Sequence, residues 1–296
     1  MSNKQSEKEL ETEFTETLSK SNLEALKKIR IQDTDSEAIT EHKMIQALKI
    51  LNYEFVTIHD VEALEKNFHH TISKHNLTKH LNNKPLSKSE FERLLIKLEG
   101  KGVFESSKSL RELQVIKRDD GSDAYIELLD KNDWCNNIFQ VTNQITVKTR
   151  RVSRYDVTIL INGLPLVQIE LKKRGLAIEK AFHQINRYKA TSFPGLFKYL
   201  QLFIISNGVN SKYLSNDDLK LNYNFAFFWT NSKNERISNL NDFIKSFLSP
   251  CQLSKIISRY MVLNQTDKKL MVMRPYQIFA TEKIVDRAIN TRNNGY

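Results

Sequence analysis

The stretch DVTILINGLPLVQIELK, residues 156–172, decides how this chain is read. Two apolar runs flank Asn162-Gly163, a dipeptide strongly favoured in tight hairpin turns. Val157, Ile159, Leu160 and Ile161 on one side, with Leu166, Val167 and Ile169 on the other, put apolar groups on both faces of both strands. Such strands belong to the buried centre of a sheet. Charge is confined to Asp156 at the start and to Glu170 and Lys172 at the end, the two places a hairpin brings side by side.

Side chains alternate along a strand, so Glu170 and Lys172 share a face and Leu171 points into the opposite layer. A two-residue loop at Asn162-Gly163 would set Asp156 opposite Ile169, leaving Glu170 on the wrong side. A three-residue loop over 162–164, or an equivalent bulge at Gly163, sets Asp156 opposite Glu170, and this is the geometry expected. Two carboxylates about 4 Å apart repel by roughly 4 kcal/mol at an effective dielectric near 20, so they stay ionised only beside a cation. Mg²⁺ suits them, because it takes one or two carboxylates and leaves its other positions to water and phosphate oxygens. A metal so held activates water and neutralises phosphate charge, and Lys172 would orient that water or stabilise the developing negative charge. The plainer alternative is an ion pair between Glu170 and Lys172, since an acid followed by Glu-x-Lys is a short pattern. The apolar setting argues against it, because buried charges are expensive unless paired or metal-bound.

Outward from the hairpin, residues 176–190 read as a helix carrying Gln184 and Tyr188 one turn apart on one face. They are placed either to hydrogen-bond beside a nucleic-acid strand or to form the polar edge of an amphipathic helix. Lys148, Arg150, Arg151 and Arg154 precede Asp156, and Lys173 and Arg174 follow Lys172. Beside a carboxylate site these basic residues fit phosphate-backbone binding better than a merely solvated face. The chain as a whole carries a formal net charge of +10 over 296 residues, which favours an anionic partner.

Residues 4–30, 36–52 and 60–76 read as helices, the first two sharing a Ser-Glu-x-x-x-Glu pattern at Ser6/Glu7/Glu11 and Ser36/Glu37/Glu41. Ser87 and Glu90 form a capping box for a helix over 87–98. Short strands are expected over 112–117 and 125–129 around the turn at 119–122, and a longer strand over 138–148. Further strands fall at 200–206 and 225–229, and helices at 240–248 and 253–260. Strand, strand, helix, strand in that order indicates an α/β sandwich with a mixed sheet. The aromatic residues Phe68, Phe91 and those of 225–229 are expected in the core.

Hydrophobic residues make up 40% of the chain, enough for a core, so disorder is not the default. The acidic, polar start lacks the pattern of a secretory signal, and no apolar run is long enough to span a membrane, which together suggest the cytoplasm. Cys135 and Cys251 are expected to be separate packing residues, without a disulfide. His69, His70, His75 and His80 lack the spacing and the partners of a metal cluster. No nucleophile elbow, HExxH or GxGxxG motif supports a competing catalytic reading.

From Arg154 to Gly208 the chain resembles the N-terminal nuclease region of type I restriction enzyme motor subunits, the R or HsdR subunits. That family has a PD-(D/E)xK fold whose acid, ExK and QxxxY motifs match Asp156, Glu170/Lys172 and Gln184/Tyr188; Tyr155 stands where a Pro is usual. The resemblance implies Asp156, Glu170 and Lys172 as catalytic residues, with Mg²⁺ on Asp156 and Glu170. Gln184, Tyr188, Arg154 and Lys173 would lie along the DNA. It also implies a helix-borne acid near the metal, for which Glu11 and Glu41 both fit. Met273-Arg274-Pro275-Tyr276-Gln277 resembles the entry to the helicase core of the same subunits, where Gln277 would recognise the adenine of ATP. No phosphate loop follows it, so ATP is expected only for a full-length subunit.

The expected division is a helical region over 1–80, a nuclease domain over 81–260 and the start of a RecA-like helicase domain over 261–296. The resemblance implies an endonuclease domain that cuts duplex DNA after ATP-driven translocation, working with methyltransferase and specificity subunits. The alternative is a non-catalytic module that binds DNA or docks the subunit onto its complex.

Overall fold

The computed structural model describes residues 20–148, 152–191 and 193–290. In chain order its elements begin with α1 (Lys20–Lys28), α2 (Glu37–Ile50), β1 (Glu54–Phe55), α3 (Val61–Asn76), α4 (Lys88–Leu98) and α5 (Val103–Leu110). The hairpin β2 (Gln114–Lys117) and β3 (Asp123–Ile126) follows, and then the long strands β4 (Phe139–Lys148), β5 (Val152–Ile161) and β6 (Leu164–Leu171). After α6 (Glu179–Thr191) come β7 (Leu202–Ser206), β8 (Ser211–Ser215), β9 (Phe227–Thr230) and β10 (Arg236–Ile237). The described chain closes with α7 (Leu240–Phe247), α8 (Pro250–Arg259), the hairpin β11 (Met261–Asn264) and β12 (Lys269–Val272), and α9 (Pro275–Asn290).

Eight strands form one mixed sheet in the order β1-β4-β5-β6-β7-β8-β9-β10. β6 and β7 run parallel, which requires the crossover supplied by α6; β4, β5 and β6 form an antiparallel meander. Every residue of β6 is buried, as the doubly apolar sequence predicts. α2 packs its Met44, Ala47 and Leu48 inward, starting from Ser36, whose hydroxyl accepts from Ile39 N at 3.2 Å. The capping box at Ser87 and Glu90 is formed on α4.

The central hairpin reaches the expected pairing by a different route. Ile161 pairs with Leu164 and Leu160 with Pro165, so the loop is the two residues Asn162-Gly163 and not three. Both have positive φ, 52° and 84°, the signature of a type I′ turn. The pairing then shifts: Ile159 faces Val167 and Val157 faces Ile169, leaving Leu166 as the extra residue of a β-bulge. The bulge lies past the turn and not at Gly163. It sits beside Pro165, which has no N–H to give the ladder, and the Leu166 carbonyl accepts from Gln201 N at 2.8 Å. Continued by one residue, the shifted register sets Asp156 opposite Glu170.

Two further expectations need correction. Cys135 and Cys251 are joined in a disulfide with Cα atoms 4.6 Å apart, because α8 packs against the short 3-10 turn at Trp134–Asn136. Phe225, expected in the core, is 56% exposed in a 3-10 turn that only leads into β9. α5 and the hairpins built on β8 and β11–β12 were not anticipated. The stretch of the first expected helix before residue 20, with Ser6, Glu7 and Glu11, lies outside the described residues, as do Arg150 and Arg151.

The last segment packs on the sheet's far side. Tyr213 Oη donates to Met273 O at 3.0 Å, Tyr260 Oη to Glu282 Oε1 at 2.6 Å, and Ile278 is buried. Among the described residues no helix is long and apolar enough to cross a membrane.

Candidate active site

Asp156 and Glu170 meet where the middle of β5 passes the C-terminal end of β6. Asp156 Oδ2 accepts a hydrogen bond from Leu171 N at 2.8 Å, which ties the first carboxylate to the backbone of the strand carrying the second. Burial raises the Asp156 carboxyl above its ordinary range, although the Leu171 N–H and Lys172 act in the opposite direction. Glu170 has no exposed surface, and its Oε2 has no hydrogen-bond partner. Burial first, then the neighbouring Asp156 charge, push its carboxyl well above the ordinary value. An acid pair left this way is under electrostatic stress that a cation would relieve.

Lys172 follows β6, its N–H continuing the ladder to Ser206 O at 2.8 Å. Its Nζ donates to Leu171 O at 2.7 Å and lies 3.6 Å from Glu37 Oε2. Its ion-pair partner among the described residues is therefore Glu37 on α2, not Glu170. Glu37 also accepts from Lys173 N at 2.9 Å. Sequence reading noted Glu37 only as half of a repeat, because an acid in the first turn of a helix has an ordinary explanation in the helix dipole.

One turn further along α2, Glu41 points to the same end of the sheet. It accepts from Asn143 Nδ2 at 2.6 Å and from the Gln144 amide. Burial raises its carboxyl; these two amides and Arg154 oppose the shift, while the Asp156 charge adds to it. Of the two helix acids left open by the sequence, Glu41 is the one within the described residues. Gln144 lies on β4 between the pairs Asn143–Val157 and Ile145–Tyr155, which puts it across from Asp156. Its φ of 56° is uncommon for a residue other than glycine, and such backbone clusters at functional sites. No sequence signal marked it.

From α6, Gln184 Nε2 donates to Tyr188 Oη at 2.5 Å, and that hydroxyl donates to Arg154 O at 2.9 Å. The two residues expected on one helix face are thus bonded to each other and to the strand leading into Asp156. Burial first, and the Glu170 charge next, push the Tyr188 hydroxyl up to about 12. Tyr155 packs its ring 5.1 Å from that of Tyr188 and 5.1 Å from that of Phe197. Arg154 and Lys173 are exposed beside the carboxylates. Gln277 is elsewhere, in the first turn of α9, its amide oxygen accepting from Arg274 N at 2.9 Å.

Among the described residues no three His, Cys, Asp or Glu side chains are grouped to hold a metal ion. A divalent cation here would rest on Asp156, Glu170, a main-chain carbonyl and water. That donor set suits Mg²⁺, which keeps several waters, and the partnerless Glu170 Oε2 fits it.

The fold and the site define an α/β domain on a mixed sheet, with a buried glutamate, a half-buried aspartate and a lysine where its central hairpin's second strand ends. The chain belongs to the family described as the type I restriction enzyme R protein N terminus, whose model matches residues 4–220. It is 49% identical over 261 residues to a type I restriction enzyme endonuclease subunit of Staphylococcus saprophyticus, covering 88% of this chain and 28% of that protein. A Staphylococcus aureus subunit of the same description gives the same identity and coverage. The EcoprrI endonuclease subunit of Escherichia coli is 39% identical, over 84% of this chain and 81% of that protein. The chain thus spans 28% of the staphylococcal subunits' length. The family resemblance read from residues 154–208 is borne out.

Proposed function

We propose that this chain is the Mg²⁺-dependent endonuclease part of a type I restriction enzyme, with a PD-(D/E)xK fold, and that it cuts duplex DNA. The observation that carries this reading is the burial of Glu170 opposite Asp156 with Oε2 unpartnered, beside a lysine. A bound Mg²⁺ supplies a polarised water and charge neutralisation at the phosphate. Asp156 and Glu170 would hold the ion, and the Leu171 N–H keeps Asp156 oriented. Lys172, swung from Glu37, stabilises charge on the phosphate oxygens. Glu41, fixed by Asn143 and Gln144, adds a helix-borne acid at the rim. Gln184 and Tyr188 brace the strand entering Asp156 and, with Arg154 and Lys173, border the DNA.

In a longer subunit the same chain would work with ATP-driven translocation and with methyltransferase and specificity subunits. Gln277 at α9 would then open a helicase domain and contact adenine.

Titration calorimetry with Mn²⁺ on the native chain, Asp156→Asn and Glu170→Gln tests the reading. Binding to the native chain that disappears in both variants supports it. Binding that is absent, or that survives both substitutions, overturns it in favour of a non-catalytic DNA-binding or docking module, for which the exposed Arg154 and Lys173 would be sufficient.

A further inference from the structure

Three adjoining depressions, a small one beside Lys172 and two larger ones, share lining residues and form a groove in series. The first is bordered by Lys172, Arg174 and Asn207; the second shares Arg174 and Gly208 with it and adds Arg30; the third shares Arg30 and Asn241 and ends at Lys27 and Lys245. Five cations from three separate parts of the chain, with Asn207 and Gly208 from a fourth, thus follow one path away from Lys172. Residues 172–174 come from the end of β6, 207–208 from the β7–β8 turn, 27 and 30 from the end of α1, and 241–245 from α7.

Hydrogen bonds and an ion pair tie the walls to one another. Asn241 accepts from Ile31 N at 2.9 Å and donates to Ile31 O at 3.1 Å, pinning the segment after α1 to α7. Asp35 accepts from Gln32 N at 2.8 Å and pairs with Lys43 at 2.7 Å, so that carboxylate is already neutralised. Lys27 and Arg30 are exposed, and neither side chain makes an ion pair among the described residues. Arg174 pairs with Asp33 and Lys245 with Asp242, the latter at 3.7 Å. All four side chains are more than a third exposed, and exposed pairs contribute little to stability, so exchanging a carboxylate for a phosphate costs little.

We infer that this groove is a track for the sugar–phosphate backbone of the DNA, guiding the strand leaving the scissile phosphate from Lys172 past Arg174 and Arg30 to Lys27 and Lys245. The inference rests on the nuclease reading and adds the strand's path. A row of solvent-facing cations suits the repeated negative charge of a phosphate backbone, and it predicts binding without base preference.

The test is duplex binding in Ca²⁺, measured across a range of salt, for the native chain and for a Lys27→Ala/Arg30→Ala/Lys245→Ala variant. A Lys27→Glu/Lys245→Glu variant serves as a second probe, and thermal melting and Mn²⁺ calorimetry are run on each. None of the three residues touches Asp156, Glu170 or Lys172. The expected result is an affinity lower by about 10- to 1,000-fold at low salt and a log–log salt slope shallower by about 2–3, near 0.9 per lost phosphate contact. Mn²⁺ binding should be unchanged. Unaltered affinity and slope in both variants, with native binding present, would overturn the track and leave the nuclease reading standing. Failure of the native chain to bind duplex at low salt would overturn both. If Mn²⁺ binding proves independent of Asp156 and Glu170 while the variants still lose DNA, the catalytic reading falls and takes with it the track's part in cleavage, leaving a DNA-binding groove alone.

Discussion

Leu171 N donates to Asp156 Oδ2 at 2.8 Å, so the residue between Glu170 and Lys172 orients the acid on the neighbouring strand. Because the three charged side chains share this one backbone junction, losing any of them should disable the site without unfolding the sheet. Asp156→Ala, Glu170→Ala and Lys172→Ala in the complete enzyme should each lower DNA cleavage by about 1,000-fold or more, the several kcal/mol that a metal-centred charge clamp supplies. ATP hydrolysis should be unaffected. Loss of ATPase in all three variants would show that the residues serve the whole subunit's folding and not the cut.

Tyr188 and Gln184 lie one step back from the carboxylates. The Tyr188 hydroxyl joins Gln184 to the Arg154 carbonyl, and Arg154 is two residues from Asp156. Tyr188→Phe keeps the ring packed on Tyr155 and removes only the hydroxyl, so stability should fall by about 1 kcal/mol. Cleavage should fall less completely than in the carboxylate variants. Full cleavage in both Tyr188→Phe and Gln184→Ala would reduce the pair to the polar edge of α6.

The apolar runs and Asn162-Gly163 made the central hairpin legible, and the burial of all of β6 follows from them. The bulge at Leu166 was not legible, because one more apolar residue in an apolar strand changes register without changing the pattern. Glu41 was legible as one of two candidates, while Glu37 and Gln144 were hidden. Glu37 reads as a helix-start acid, and Gln144 matters through its backbone conformation and its position across from Asp156. Cys135 and Cys251 lie 116 residues apart, and only the docking of α8 on the 134–136 turn brings them together. In each missed case the cause is a tertiary contact that no local spacing encodes.

Gly163 should tolerate no side chain. Its φ is 84°, and an added Cβ would lie 2.9 Å from the Phe68 Cα and 3.1 Å from the Thr71 Cβ, both on α3. The left-handed conformation costs a non-glycine residue about 1 kcal/mol, and displacing helix backbone adds to it. Gly163→Ala should therefore lower stability by about 2 kcal/mol or more in denaturant titration. A loss within about 0.5 kcal/mol would mean that α3 yields freely at this contact.

Acid should weaken the α4 region through Glu90. This carboxylate is 1% exposed and accepts from Ser87 N at 3.0 Å, Asp119 N at 3.0 Å and Arg118 Nε at 3.1 Å. Burial alone would raise its carboxyl, but those N–H donors and the guanidinium outweigh burial and hold it below the ordinary 4.5. In the acid range the unfolded chain therefore binds more protons at this group than the folded chain does, so stability rises with pH. The contribution is fully present above the ordinary value and is lost as pH falls through the lower, folded one. Glu90→Ala leaves Arg118 buried without its partner and should cost about 3–5 kcal/mol at neutral pH. The difference between native and variant should narrow as the solution is taken below the ordinary carboxylate range. Stability curves that stay parallel into acid would show that Glu90 contributes by packing and not by its charge.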